Sequence, residues 1–324
     1  MNVNIYVEDY WVFKYIGCST LARMLYKGIA EIPGVDAYYN SPSPKMDITH
    51  YHSFGPGTLL NHVRNKGVSI LTAHSTPRLN EGNIAGASYI NMLYPPLYRR
   101  FDHIVTITPP STREVQEMLP DMPVTMIPNG VDLITFAPSA RKRREFREFL
   151  GVPDDAVIVL TVAQQTPRKG IYDFLNTAAK MPEYTFVWVG GYPYGAFSSD
   201  RKLIEAKKAQ AGSNVIFTGF VPDITAVYCG ADLLFMPSHG EIMSIVALEG
   251  LASGLPAISR DLPEFREVFP GICGFFTNNA EAESLIRDEE LWRRSAAGAR
   301  ASVEQFDIRR IAKQHVDLYT RLLS

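Results

Sequence analysis

Cysteine is scarce in this chain. Its 324 residues hold three, Cys18, Cys229 and Cys273, none of them in a C-x-x-C pair. That argues against a disulfide framework or a cysteine-built metal cluster and points to a reducing compartment. An excess of one charge is missing too. Thirty-two Lys and Arg stand against 34 Asp and Glu, a net charge of −2. Nucleic acid is therefore not an expected partner, because there is no basic footprint to neutralise phosphates. No apolar window approaches the ~18 residues of a membrane span. The opening residues, "MNVNIYVEDYWVFKYIG", lack the basic-then-apolar order of a signal peptide. The expectation is a cytoplasmic protein, with peripheral attachment to the inner face of a membrane left open. No D-x-D motif occurs, so the chemistry is expected to need no obligatory divalent ion and no cofactor. Internal repeats and low-complexity stretches are absent as well.

What is present is apolar sequence, 46% of the chain, in short runs separated by longer mixed segments. The first half offers "VNIYVE", "ITHYHS", "SILTAHS", "HIVTIT" and "VTMIPN" as strands. The second offers "VIVLTVA", "YTFVWVGG", "VIFTGF", "LLFMPS" and "PAISR". Continuous apolar strands between helices imply parallel sheets covered on both faces. Two such blocks predict an α/β protein of two doubly wound, Rossmann-like domains. The boundary falls near "MIPNGVDLITFAPSARKRREF", where Asn129-Gly130 is a turn signal. The expected domains are 1–135 and 136–300, with a C-terminal helix over about 301–324 packing back on the first. That helix has Ile308, Ile311, Ala312, Val316, Tyr319, Leu322 and Leu323 as its apolar positions.

Ligands of such sheets bind outside the carboxyl ends of the strands. The segment "HGEIMSIVALEGLASGLPAIS", residues 239–259, follows the expected strand "LLFMPS". Ser244 can cap a helix running to about Ser253, closed by Gly254 and Pro256. The N–H groups of Met243, Ser244 and Ile245 lie where the helix dipole favours a phosphate. Glu241 stands in the loop before them. Glu249 stands on the helix beside its apolar stripe, where an unpaired carboxylate is costly. A phosphate at the helix start would fit Glu241 on sugar hydroxyls and Glu249 on a ribose diol. Taken alone, the residues equally allow a solvated loop acid and a carboxylate with a structural partner.

The wider pattern resembles the retaining GT-B glycosyltransferases of family GT4. "EIMSIVALEGLASGLPAI" is similar to their E-x7-E signature, and "IPNGVDLITF" to their interdomain P-N-G-V-D segment. "VAQQTPRKG" stands where the family has V-G-R-x-x-x-x-K-G, and "VIFTGFVPD" resembles V-x-F-x-G-x-V. The resemblance implies a nucleotide-sugar donor bound by the second domain and acceptor groups in the first. It places Glu241 on the sugar and Glu249 on the ribose, Lys169 with Gly170 on the diphosphate, and Val221 near the base. Gln164 replaces the family's arginine, and Arg168 is the candidate to compensate. His74, ending "SILTAH", is expected near the reacting side of the sugar. His50 and His52 are assigned to packing or to support of the site. Gly17, with Ser19 or Thr20 as cap, could approach the donor phosphate or the acceptor.

A narrower resemblance, in "TAHST", "RKGIYDFLNTAAKMPEYTFVWVGG" and "LPEFRE", is to bacterial synthases that move glucose onto diacylglycerol. It implies UDP-glucose as donor and a membrane lipid as acceptor. The aromatics and arginines of "SYINMLYPPLYRRFDH" and the basic "RKRREFREFL" suit a lipid surface, though each also reads as an ordinary amphipathic helix. A soluble sugar acceptor, or a catalytically silent nucleotide-sugar-binding protein, remains an alternative. An inverting epimerase of this fold leaves its acid and base unplaced.

Overall fold

The computed structural model describes residues 1–9, 17–80, 87–192 and 200–324. It divides into two units, Met1–Asp132 with Phe306–Ser324, and Leu133–Gln305. The division falls between Asp132 and Leu133, just after the Asn129-Gly130 turn.

The first unit is built on β1 (Asn2–Tyr6), β2 (Asp36–Tyr39), β3 (Ile48–Tyr51), β4 (Val68–Thr72), β5 (His103–Thr106) and β6 (Val124–Met126). All are parallel, in the order β2-β1-β3-β4-β5-β6. The chain reverses its direction of travel between β1 and β3, which makes that seam the switch point. Val3, Ile5, Ile48 and Ile70 are fully buried between the helical layers, as expected of strands covered on both faces.

The second unit is built on β7 (Ile158–Val162), β8 (Thr185–Val189), β9 (Val215–Gly219), β10 (Leu233–Met236), β11 (Ala257–Arg260) and β12 (Ile272–Phe276). Their order is β12-β11-β10-β7-β8-β9, again all parallel. Its switch point is the seam between β7 and β10. Trp188, Phe174, Phe186 and Phe235 fill its core.

Two strands, β2 and β12, are additions to the ten legible in the sequence. Both are edge strands. "DAYY" alternates exposed and half-buried residues, and "ICGFF" carries Gly274, so neither reads as a continuous apolar run.

The helix Ile308–Leu323 buries Ile308, Ile311, Ala312, His315, Leu318 and Tyr319. It lies against the helix Gly17–Ala30, where a Cβ built on Gly28 would stand 3.0 Å from Ala312 Cβ. His315 and Leu318 belong to its buried face; Leu323, counted among its apolar positions, is exposed.

Segment 88–103 is two short helices, Ala87–Asn91 and Tyr94–Tyr98, because Pro95 and Pro96 start a new helix. Tyr94, Tyr98 and Phe101 enter the core, whereas Tyr89, Ile90, Met92 and Leu93 are exposed. The basic run forms the helix Ala140–Leu150. Its charges are largely committed within the second unit. Arg143 and Arg147 both pair with Asp232, Lys142 with Asp223, and Arg141 with Glu145. Arg147 also donates to the carbonyls of Gly230, Pro153, Asp154 and Ala156. Such arginine is a buried structural brace rather than a headgroup ligand.

Candidate functional site

At the second switch point, the loops leaving β7 and β10 are joined by four contacts. The His239 N–H donates to Arg168 O at 2.8 Å. Arg168 Nη1 donates to Gly240 O at 2.7 Å. Lys169 Nζ meets Glu241 Oε1 at 2.5 Å. Gly170, at φ +76°, brings its backbone against Pro237. The sequence explains this geometry. Thr166-Pro167 opens a short 3-10 turn, and glycine suits the left-handed residue that ends it and begins the helix Ile171–Ala179, where a Cβ would strike Pro237. That turn puts Lys169 at the mouth of β7. A pocket there is lined by Thr161, Ala163, Lys169, Ser238, Glu241 and Ser244, among others.

Burial works against both charges of the Lys169–Glu241 pair. For Glu241, Lys169 and Arg168 outweigh it, with a hydrogen bond from Ser238, and the carboxyl titrates below its usual range. For Lys169, burial and the neighbouring Arg168 outweigh Glu241, so its pKa also falls. The contact is an ion pair at neutral pH, because a neutral lysine would leave Glu241 a buried, weakly compensated anion. Arg168 stands in the field of the pair.

The helix Ile245–Ala252 begins as expected. Ser244 Oγ accepts from the Ala247 N–H at 3.2 Å. That bond satisfies one terminal donor, leaving the turn at Ser244 and Ile245 beside Glu241. Met243 is buried under it. Glu249 lies one turn into the helix and is also buried. Its Oε2 accepts from the Tyr228 hydroxyl at 2.8 Å. Burial pushes its pKa up to about 7, despite the stabilising bond from Tyr228. Gln164 and Val221 are both partly exposed, at the exits of β7 and β9.

Three groups here were not legible beforehand. Tyr228, the partner of Glu249, sits in an apolar helix with no motif around it. Ser238 was visible only as the residue closing "MPS". Gln165, buried, donates to Gly190 O at 2.8 Å and accepts from Lys208 at 3.0 Å, so Lys208 joins Arg168 and Lys169 as a cation next to the β7 exit.

Glu249 yields a pH prediction. Its folded pKa of about 7 exceeds the ordinary 4.5. The fold therefore favours the protonated acid. That contribution is complete below about 4.5 and is lost as pH rises through about 7. Glu249→Gln is expected to raise the melting temperature at pH 8.5 and leave it nearly unchanged at pH 4.5. Equal shifts at both pH values, in a thermal scan, would refute the assignment.

In the first unit, His74 follows β4 and His52 follows β3, with His52 Nδ1 2.8 Å from His74 Nε2. Gly17 is exposed at the start of its helix, so Ser19 and Thr20 fall inside the first turn rather than capping it. These residues belong to a different unit from Glu241 and Lys169.

Two family models match the chain. The model described as Glycosyltransferase Family 4 matches residues 37–135. The model described as Glycosyl transferases group 1 matches residues 156–288. Together they span more than half of the sequence, including Lys169, Glu241 and Glu249.

The chain belongs to glycosyltransferase family 4.

Among its family relatives is the alpha-galactosylglucosyldiacylglycerol synthase of Streptococcus pneumoniae, 28% identical over 70% of this chain and 63% of that one. Another is the processive diacylglycerol alpha-glucosyltransferase of Acholeplasma laidlawii, 29% identical over 82% of this chain and 80% of that one. This chain thus spans less than two thirds of the first relative's length. Its fold is that of the GT-B enzymes. Sucrose-phosphate synthase from Thermosynechococcus elongatus superposes with a TM-score of 0.81 at 19% identity, covering 99% of this chain and 98% of that one. The Anabaena protein HepE, solved with UDP-glucose, gives 0.79 at 18% identity, covering 99% and 100%.

Proposed function

We propose that this chain is a retaining, metal-independent glycosyltransferase that moves glucose from UDP-glucose to a hydroxyl of a membrane glycerolipid. The observation that carries the reading is the buried Lys169–Glu241 pair at the switch point of the second sheet, beside the start of the helix Ile245–Ala252. Lys169 and the helix start would face the diphosphate, with Arg168 supplying the charge that Gln164 lacks. Glu241 would hold sugar hydroxyls and Glu249 the ribose diol, with Val221 near the base. The acceptor oxygen attacks the anomeric carbon on the face the leaving group departs from. The bond from that carbon to the phosphate oxygen breaks, and the acceptor's proton passes to the phosphate. The products are the glycoside, with its configuration retained, and UDP. Lys169 stabilises the charge that grows on the leaving oxygens, the interaction that accelerates the step.

The lipid acceptor is supported by the two glycolipid-synthase relatives and by the exposed Tyr89, Ile90, Met92 and Leu93 beside Arg99 and Arg100. No helix among the described residues is long and apolar enough to cross a membrane. Attachment would be peripheral, at the inner face, with these side chains in the interface.

One assay tests the reading. The protein is incubated with labelled UDP-glucose and a diacylglycerol/anionic-lipid dispersion, and the products are partitioned. Label should enter the organic phase and be lost in Glu241→Gln. A new aqueous glycoside would indicate a soluble acceptor. Binding of the nucleotide sugar with no transfer would indicate a silent binding protein.

A further inference from the structure

Below the carboxyl ends of β3 and β4 lies a layer of histidines that the reaction as described leaves unused. His50 is fully buried with both ring nitrogens engaged, Nδ1 at 2.7 Å from the Tyr319 hydroxyl and Nε2 at 2.6 Å from Thr72 Oγ1. His315 packs on it at 5.1 Å between centroids, and His52 at 4.5 Å. His52 is buried too. Its Nδ1 meets His74 Nε2 at 2.8 Å, while its Nε2 is enclosed without a hydrogen-bond partner. His74, beyond it, is partly exposed.

We propose that His52 is a positioning residue that fixes the tautomer of His74, so that His74 presents an Nδ1–H donor to a substrate oxygen at the end of β4. The argument is one of proton counting. Two ring nitrogens at 2.8 Å share one proton, and a neutral imidazole carries one in all. If His74 Nε2 donates, His52 Nδ1 is bare and its only proton sits on Nε2. That would be an N–H enclosed in protein with nothing to receive it. If His52 Nδ1 donates, its Nε2 is bare, and the enclosed atom is an unused lone pair. Enclosed orphan N–H groups are the rarer defect, and each lost donor carries its full desolvation cost. The second arrangement therefore prevails. It leaves His74 Nε2 as acceptor and places the His74 proton on Nδ1, the nitrogen that His52 does not occupy. A third arrangement, with one ring cationic, is opposed by burial among four imidazoles with no carboxylate partner among the described residues.

His50 supplies the rigidity this needs. Tied at both nitrogens to Tyr319 and Thr72, it forms a fixed surface against which the His52 ring packs at a tilt. The C-terminal helix thus contributes, through Tyr319, to the orientation of a side chain at the end of β4. His74 in this state is a hydrogen-bond donor, not a general base. It would favour a substrate whose oxygen accepts at that place, and it would hold that oxygen without taking its proton.

The catalytic half of the inference rests on the reading that the chain is a glycosyltransferase with His74 facing a substrate oxygen; the tautomer half does not. Histidine-labelled protein is examined by long-range proton–nitrogen correlation NMR at pH 7.5, with His74 assigned by subtraction of the spectrum of His74→Gln. The expected pattern is a protonated Nδ1 and a bare Nε2. In His52→Leu, His74 should populate both tautomers, and kcat should fall about tenfold. His52→Asn puts an amide N–H near the place of Nδ1 and should restore the Nδ1–H tautomer and most of the rate. A merely structural position would favour leucine, the better apolar filler, over asparagine. A wild-type His74 protonated on Nε2 would overturn the proposal, and that spectrum decides it even if His52→Leu does not fold. A tautomer that responds to His52 while transfer does not would overturn the placement of His74 at a substrate oxygen and leave the His52 assignment standing.

Discussion

Lys169→Ala is expected to destabilise the second unit by about 3 kcal/mol and to lower transfer at least tenfold, and the two effects separate in a double variant. The side chains of Lys169 and Glu241 are only 18% and 12% exposed. Removing the cation leaves Glu241 an uncompensated buried charge, a change that costs about 3–5 kcal/mol where no relief is available. Arg168 gives partial relief here, which sets the expectation at the low end. Lys169→Ala combined with Glu241→Gln removes the charge that was stranded. Most of the stability, read by denaturant unfolding, should return. Activity should not. Each single variant loses at least tenfold in kcat/KM, about 1.4 kcal/mol of transition-state stabilisation, and the double variant stays inactive. A double variant as unstable as Lys169→Ala would show that the ion pair is not the source of the loss. Full transfer by both single variants would remove these residues from the site.

Gly170→Ala should have the other large effect, through the backbone rather than through charge. Gly170 sits at φ +76°, where an L-residue costs roughly 1–2 kcal/mol. A Cβ there would also lie 2.3 Å from Pro237 O, an approach that atoms do not make. The loop leaving β10 must retreat, and that loop carries Glu241. Gly151 provides the control, since at φ +67° its added Cβ meets nothing within 4 Å. Gly151→Ala should cost only the conformational part. Gly170→Ala should cost several kcal/mol more and weaken binding of UDP at least tenfold by calorimetry. Equal stability losses in the two variants would mean that the β7 and β10 loops are not in the tight contact described.

The parts of the protein that were readable in advance share one property, that a local pattern carries them. Interior strands are apolar on both faces, so "VIVLTVA" and "LLFMPS" announce themselves. Edge strands β2 and β12 are half-solvated, and nothing in "DAYY" distinguishes a strand from a loop. The cap at Ser244 and the carboxylates at Glu241 and Glu249 lie within one segment, so their spacing was visible. The pairing of Glu241 with Lys169 was not. It joins residues 72 positions apart, and only the adjacency of β10 and β7 brings them together.

The sequence alone determined the α/β class, the two blocks of alternating strand and helix, and the residue types available to bind a nucleotide sugar. These follow from hydrophobic periodicity and from turn and cap chemistry, which act over a few residues. Tertiary structure decided which of those residues meet. Arg147 and its neighbours became internal braces instead of a basic surface, because Asp232 and four backbone carbonyls surround that face of the helix. His50 and His52 became a layer around His74, because β3 lies beside β4 and the C-terminal helix brings Tyr319 beneath them. Strand order sets such encounters, and it is chosen by the packing of the whole unit, where no local spacing can record it.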